Sequence, residues 1–336
     1  MKKLINDPRR VVDETISGLL KAYPTHLRAA SGSTRALVRC DAPLKGKVAI
    51  CTGGGSGHLP LFLGYVGPGL LDAVAVGNVF SSPSADDMVA AIRDVDGGAG
   101  VLCLFGNYGG DRMNFELAAA RAGEEGIAVK LSIAADDVAS APRSEKSRRR
   151  GIAGIFFAYK MAGAMADRGA NLDSVKAIAD AAIERTCTIG VALSPCTIPA
   201  VGEPNFTIGE DEIEIGMGIH GEPGIERTKL MPAREIAGIM ADRIINDLPF
   251  STGDEVAVLV NGLGATPAEE LFILYDSFDD ILKARGLIVQ RVYVGEYATS
   301  MEMAGASFSL LKLDQQAKEL LDAPALSPFL PQWVRG

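Results

Sequence analysis

Two histidines of this chain follow glycine-rich segments, where a side chain can be held out toward a ligand. Residues 213–224 read Ile-Glu-Ile-Gly-Met-Gly-Ile-His-Gly-Glu-Pro-Gly and place His220 in a turn after an alternating strand. A strand-like run from Val48 breaks into the turn Gly53-Gly-Gly-Ser-Gly-His58. A neutral imidazole is nucleophilic at physiological pH, and glycines let a backbone approach a small molecule closely. Either segment alone is explained equally well as a turn with a locally bonded histidine, but the pair favours a ligand site.

A third glycine-rich segment carries an acid. It reads Gly106-Asn-Tyr-Gly-Gly-Asp111 and follows the apolar run that ends at Phe105. Open α/β sheets place ligand groups after the carboxyl ends of their strands, so Asp111 is a candidate catalytic carboxylate. The competing interpretation is that Asp111 caps the helix that begins just after it.

None of these segments matches a known nucleotide-binding or hydrolase motif. Gly53-Gly-Gly-Ser-Gly-His58 lacks the dinucleotide spacing and the Lys-Ser/Thr ending of a Walker loop. Ser56 does not lie in a Gly-x-Ser-x-Gly elbow, which argues against a serine hydrolase. The sequence therefore predicts a small-molecule site without a triphosphate site of its own.

The overall composition excludes several classes of protein. A net charge of −9 and a pI near 5.0 argue against nucleic acid, because phosphate binding depends on clustered lysine and arginine. The basic run 143–150 is predicted to be a solvated loop. We expect no secretory signal at Met1-Lys-Lys-Leu-Ile and no membrane span, and five scattered cysteines favour a reducing cytoplasm and no metal site.

Alternating short apolar runs and amphipathic stretches predict an α/β fold. Strands are expected at 48–52, 73–76, 99–105 and 127–132, and helices at 84–94, 114–124, 152–167 and 172–185. A second series of the same kind opens at Thr188, with strands expected at 213–218, 255–260, 287–294 and 306–312 and helices at 233–246 and 267–284. The chain exceeds the usual size of one core. We therefore predict two α/β domains, each a sheet flanked by helices: 1–187, with the glycine-rich and Asp111 segments, and 188–336, with the His220 loop.

Taken together, six ordered motifs between about residues 5 and 330 resemble one family, the substrate-binding subunit of dihydroxyacetone kinase. The motifs are Gly53-Gly-Gly-Ser-Gly-His58, Asn107-Tyr-Gly-Gly-Asp111 with Asn114-Phe115, Arg149-Arg-Gly-Ile-Ala-Gly, Gly190-Val-Ala-Leu with Cys196-Thr-Ile-Pro, Gly218-Ile-His-Gly-Glu-Pro-Gly, and Gly264-Ala-Thr-Pro.

The resemblance implies roles for the candidate residues. His220 would add to the carbonyl of a ketose and hold it as a hemiaminal, which excludes glycerol because glycerol has no carbonyl. Asp111 would take the proton of the terminal hydroxyl during phosphoryl transfer, and His58 would bond the triose and assist. Gly55, Ser56 and Gly57 would line the pocket through their backbone.

The resemblance also implies partners. A separate all-helical subunit would carry Mg-ADP or Mg-ATP, recharged by nucleotide exchange or by a phosphotransferase-system protein, while this chain binds no cofactor. We expect a cytoplasmic homodimer that acts in glycerol metabolism, with no nucleic acid or membrane partner.

Three positions depart from the family pattern beside the site. Gly106 stands where a lysine is usual, Gly109 where a threonine is usual, and Leu59 where a glutamate follows the histidine. Losing the lysine removes a charge and leaves room. The alternatives are thus a kinase subunit for a larger ketose such as erythrulose, a non-catalytic ketose sensor that acts as a coactivator, or a binding protein for an unrelated small molecule.

Overall fold

The apolar runs and helical periods of the sequence form fourteen strands and eight α-helices in the computed structural model, which describes residues 2–333. The strands are β1 (Leu27–Ala29), β2 (Ala36–Arg39), β3 (Ala49–Ser56), β4 (Ala73–Val79), β5 (Val101–Gly106), β6 (Val129–Ala134), β7 (Thr186–Ser194), β8 (Glu212–Ile215), β9 (Glu226–Lys229), β10 (Glu255–Gly262), β11 (Ile288–Gly295), β12 (Ala304–Lys312), β13 (Ala325–Ser327) and β14 (Leu330–Gln332). The helices are α1 (Val11–Ala22), α2 (Ala85–Val95), α3 (Gly109–Glu124), α4 (Ile155–Asp167), α5 (Leu172–Glu184), α6 (Ala233–Asp247), α7 (Ala268–Ala284) and α8 (Gln315–Asp322).

The first sheet has the strand order β1-β2-β4-β3-β5-β6. Strands β4, β3, β5 and β6 run parallel, and the short β1 and β2 join antiparallel at one edge. Parallel strands are covered on both faces, which explains why β5 is a continuous run of buried residues. Helices α2 and α3 pack on one face, where the Phe105 and Phe115 rings stack with centroids 4.2 Å apart.

The second sheet is mostly antiparallel, with the order β11-β10-β12-β7-β8-β9. Only β10 and β11 pair in parallel, and α6 and α7 cover an apolar face built from β7, β10 and β12. The stacked rings of Phe278 and Phe308 fill the centre of this core, with centroids 3.6 Å apart. Two sheets flanked by helices confirm the predicted fold class.

The chain divides into two compact units that are discontinuous in sequence. Unit 1 comprises 2–134, Phe157–Ala182 and 319–333, and unit 2 comprises Ala135–Phe156 and Ile183–Lys318. These bounds differ from a single division at residue 187. The segment before α4 belongs to unit 2 because its backbone pairs with β7: the Thr188 N–H donates to Asp136 O at 2.8 Å, and the Val138 N–H donates to Thr188 O at 3.0 Å. The last segment belongs to unit 1 because Lys160 Nζ donates to Leu320 O at 2.9 Å.

The basic run 143–150 was predicted to be a solvated loop, and this prediction is wrong for its last two residues, Arg149 and Arg150. Arg149 is fully buried and forms a two-point ion pair with Asp247, at 2.8 and 2.5 Å. Arg150 is also mostly buried and pairs with Asp137. Asp137 and Asp247 lie 13 and 98 residues away along the chain, so the charge of the run itself could not predict these ion pairs. Within residues 2–333, none of the helices has the length and apolar character needed to cross a bilayer.

Candidate functional site

The His220 loop lies wholly in unit 2 and begins where β8 ends, at Ile215, three residues earlier than predicted. Gly221 has φ +87°, a left-handed conformation that favours glycine, and its N–H donates to Gly218 O at 3.0 Å. Asn205 Nδ2 donates to His220 O at 2.8 Å. The turn therefore fixes the backbone on both sides of the histidine.

Glu222 holds the imidazole ring of His220. One carboxylate oxygen lies 2.9 Å from His220 Nδ1, and the other accepts the His220 backbone N–H at 2.9 Å. The His220 side chain is 23% exposed, so the ring is anchored but accessible. Burial alone raises the pKa of Glu222, but the hydrogen bond and charge of His220, with two backbone N–H groups, lower it to about 2.

An ionised Glu222 decides which ring nitrogen of neutral His220 carries the proton. A carboxylate is only an acceptor, so Nδ1 must be the donor in the 2.9 Å contact. The lone pair of the neutral ring then resides on Nε2. The Glu222 contact thus fixes the tautomer of the neutral ring.

Gly218 allows the carboxylate to reach the ring. A Cβ at this position would clash with Glu222 Oε2 and would lie 2.6 Å from an Arg150 nitrogen. We expect Gly218→Ala to lower the free energy of unfolding by about 1–3 kcal/mol, the usual cost of overpacking a tight site. Chemical denaturation followed by circular dichroism measures this loss.

Gly238→Ala in α6 is the matched control, because a methyl there meets no atom within 4 Å. It should be neutral or should stabilise the helix by about 0.5–1 kcal/mol. A Gly218→Ala protein as stable as the wild type would contradict the tight contact.

His58 lies in unit 1, beyond the carboxyl end of β3. The predicted turn at Gly53 is wrong, because β3 continues to Ser56, and Gly55 and Ser56 pair with β4. The chain bends at Gly57, with φ +102°. His58 is 2% exposed, and its ring stacks on Phe80 with centroids 5.0 Å apart.

The glycines of this strand have a packing reason. A Cβ on Gly54 would clash with the Phe62 ring, and one on Gly55 would lie 2.7 Å from the Ser81 backbone nitrogen. The glycine run therefore lets β3 pass under an aromatic ring and a neighbouring loop. The backbone role of Gly55, Ser56 and Gly57 at a ligand stays a prediction.

Asp111 lies in the first turn of α3 and is 5% exposed. The helix begins at Gly109, so the N-cap residue is Tyr108, whose side chain makes no cap hydrogen bond. Asp111 is thus not the N-cap residue. Its place in the first turn puts a carboxylate near the positive end of the helix dipole.

Unit 1 brings two of the three candidates to one edge of its sheet. Strands β3 and β5 are parallel neighbours, with Cys51 opposite Cys103. His58 follows the first of these strands and Asp111 follows the second, at the carboxyl edge where open α/β sheets hold ligands. His220 belongs to unit 2.

The contacts of Glu222 and Asn205 with the His220 loop were not predicted from the sequence. Glu222 lies two residues after His220, and a carboxylate at that spacing beside a histidine was an available signal. Asn205 lies 15 residues before its acceptor, in a segment with no regular period, and nothing in the sequence connected the two.

The matches to known proteins identify the family. A family model described as the Dak1 domain matches residues 17–329. The chain belongs to the Dak1-domain family. This membership confirms the resemblance drawn from the six motifs.

Three similar proteins carry names that describe different functions. The "PTS-dependent dihydroxyacetone kinase 1, dihydroxyacetone-binding subunit DhaK" of Listeria innocua serovar 6a is 44% identical over 96% of this chain and 98% of the relative. The "D-erythrulose kinase" of Mycolicibacterium smegmatis is 42% identical over 98% of this chain and 56% of that protein. The solved "Dihydroxyacetone kinase operon co-activator Dha-DhaQ" is 31% identical, with a TM-score of 0.89 over 95% of this chain and 98% of that chain.

Proposed function

We propose that this chain is the substrate-binding subunit of a dihydroxyacetone-type kinase. It holds a short ketose on His220 while a separate nucleotide-binding subunit phosphorylates the terminal hydroxyl. The observation that carries this proposal is the Glu222 contact, which leaves the lone pair of His220 on Nε2. The Listeria relative, which matches 96% of the chain, supports the same function.

The covalent step follows from that tautomer. Nε2 attacks the ketone carbon, a C–N bond forms, and the carbonyl π electrons move to oxygen, which takes a proton from water and becomes a hydroxyl. The ring becomes cationic during attack, and its Nδ1 proton passes through Glu222 to the solvent, so one proton leaves the ring for each proton that the oxygen gains. The product is a hemiaminal with the mass of protein plus ketose and no loss of water.

In the transfer step, Asp111 accepts the proton of the terminal hydroxyl as the oxygen attacks phosphorus, and His58 bonds the substrate and assists. Both side chains are buried, so each can act away from competing water. The nucleotide on the partner subunit would supply the phosphoryl group, directly from Mg-ATP or from Mg-ADP after that ADP has itself been phosphorylated, and its magnesium would offset the negative charge of the phosphates. A phosphotransferase-system protein as the donor is supported by relatives named PTS-dependent.

The test combines the purified chain with a nucleotide-binding subunit from the same source and a panel of ketoses. Phosphorylated ketose is expected only when both proteins are present, with glycerol inert. Comparing excess Mg-ATP with trace Mg-ADP plus a phosphotransferase system identifies the donor. An adduct without transfer in any mixture would instead support a ketose-sensing coactivator, as the structural likeness to DhaQ allows.

Erythrulose is the second candidate substrate. The Mycolicibacterium relative named D-erythrulose kinase supports it, and so does space at the start of α3, where a Cβ on Gly109 would meet no atom within 4 Å. Gly106, the last residue of β5, supplies no lysine stem beside this turn. A four-carbon ketose is larger than dihydroxyacetone and needs this additional space beside Gly106 and Gly109.

If the missing lysine widened the pocket, Gly106→Lys should shift the preference toward the triose by about tenfold or more, since one methylene discriminates by that much. The ratio of kcat/KM for erythrulose to that for dihydroxyacetone measures the shift. Gly123→Lys adds the same charge to the exposed far end of α3 and should leave the ratio unchanged. A wild-type protein that strongly prefers dihydroxyacetone, with no shift in Gly106→Lys, would contradict the widened pocket.

A further inference from the structure

The motif Arg149-Arg-Gly contains two arginines with different surroundings. Arg149 is fully buried and its guanidinium binds Asp247, far along the chain, so it joins two parts of the unit 2 core. Arg150 keeps 15% of its side chain exposed and points its guanidinium at the His220 loop. The second arginine therefore lies where it can act on the candidate nucleophile.

Arg150 contacts the His220 loop at two points. One terminal nitrogen donates to Gly216 O at 3.2 Å, where the chain leaves β8. The other lies 4.0 Å from Glu222 Oε2, the same oxygen that accepts the His220 backbone N–H. Gly218 lies beside both groups, because a Cβ there would clash with Glu222 Oε2 and with an Arg150 terminal nitrogen.

A buried acid fixes the other side of the guanidinium. Arg150 Nε donates to Asp137 Oδ2 at 2.8 Å, and the Asp137 side chain is 1% exposed. Asp137 also accepts the Ala139 N–H at 3.0 Å, and the Arg150 backbone N–H donates to Ser140 Oγ at 3.0 Å. Because the planar guanidinium has donors in fixed directions, holding Nε also orients the two terminal nitrogens.

We propose that Arg150 is a positioning residue for His220: anchored on Asp137, it holds the Glu222 carboxylate in place to accept the Nδ1 proton and keep the lone pair on Nε2. That this positioning by Arg150 serves ketose capture rests on the proposed function. Among the ion pairs described for residues 2–333, Glu222 has two partners, the His220 ring and the Arg150 guanidinium. Without Arg150, the His220 ring is its one remaining partner in this set. The carboxylate then samples other rotamers, and His220 populates both tautomers.

The test compares Arg150→Gln with Arg227→Gln. Arg227 is the matched control because it pairs at 2.7 Å with Glu214, whose other oxygen accepts the Gly224 N–H at the far end of the same loop. The first readout is the ¹⁵N spectrum of the histidine rings without ligand, with the His220 signals assigned from the His220→Ala protein. The chain has only three histidines, so the rings are resolvable.

We expect a single Nδ1–H tautomer for His220 in the wild type and in Arg227→Gln, and a mixture of tautomers in Arg150→Gln. At saturating ketose, adduct formation should be about 10- to 100-fold slower in Arg150→Gln, because a small misplacement of reacting groups lowers the reaction rate by factors of this size. Arg150→Lys, which keeps the charge but not the fork, should restore part of the rate. Wild-type ring signals together with a wild-type adduct rate in Arg150→Gln would overturn the proposal.

Removing Arg150 alone leaves Asp137 buried without its cation, and the protein would then be strongly destabilised. The double variant Arg150→Gln/Asp137→Asn removes both charges and keeps the test usable. It should show the same mixed tautomers, and a single Nδ1–H tautomer in it would overturn the proposal. If the wild type formed no adduct but the ring signals still changed in Arg150→Gln, the ketose function would fail while the positioning role stood.

Discussion

Replacing His220 with alanine is expected to abolish the ketose adduct entirely. The imidazole supplies the only atom that forms the proposed C–N bond, and a methyl group cannot replace it. Native mass spectrometry of the wild-type protein with dihydroxyacetone or erythrulose should show a reversible gain equal to one ketose. His220→Ala should show no gain at any ketose concentration.

His26→Ala is the control for the loss of a histidine. His26 lies in unit 1 near Tyr23, with ring centroids 6.2 Å apart, and follows no glycine-rich segment. It should form the adduct at the wild-type level. A mass gain that persists in His220→Ala would move the nucleophile to another residue and remove the basis of the proposed function.

Asp111→Asn is expected to separate capture from transfer. A general base acts mainly in the transition state, so the variant should still form the His220 adduct with near wild-type affinity. Phosphoryl transfer should fall by about 10²- to 10⁴-fold, the usual contribution of a positioned proton acceptor. Adduct formation by mass spectrometry and single-turnover transfer with the nucleotide-binding subunit measure the two steps.

Glu116→Gln removes an exposed carboxylate from the same helix and serves as the control. It should keep both steps. Full transfer in Asp111→Asn would leave this buried acid with a structural role only, near the N-terminus of α3.

The regular elements of both sheets were predictable because their faces are buried. Buried strands need apolar runs, and helices packed on a sheet need an apolar stripe, so β5, α2 and α7 begin and end within about two residues of the predicted bounds. Short elements such as β1, β9 and α8 were not predicted, because three to eight residues leave too little periodicity. The glycines of β3 were misjudged because pairing with β4 overrides their weak strand propensity.

The candidate site was predictable where one residue type carries the chemistry. His220, His58 and Asp111 stand out by residue type and by their place after strands. Their supporting residues do not, because Arg150 precedes Glu222 by more than seventy residues and only the fold brings their charges to 4.0 Å. Arg149 shows the same limit, since Asp247 lies 98 residues away.

The discontinuity of unit 1 has a consequence for how the protein is made. Ribosomes build chains from the amino end, and Lys160 emerges 160 residues before Leu320, the carbonyl that receives its buried ammonium. The Leu326 N–H, which donates to Pro68 O at 2.9 Å, is likewise made more than 250 residues after its acceptor. The unit that carries the candidates His58 and Asp111 is therefore begun before unit 2 and completed after it, once residues 319–333 have been made.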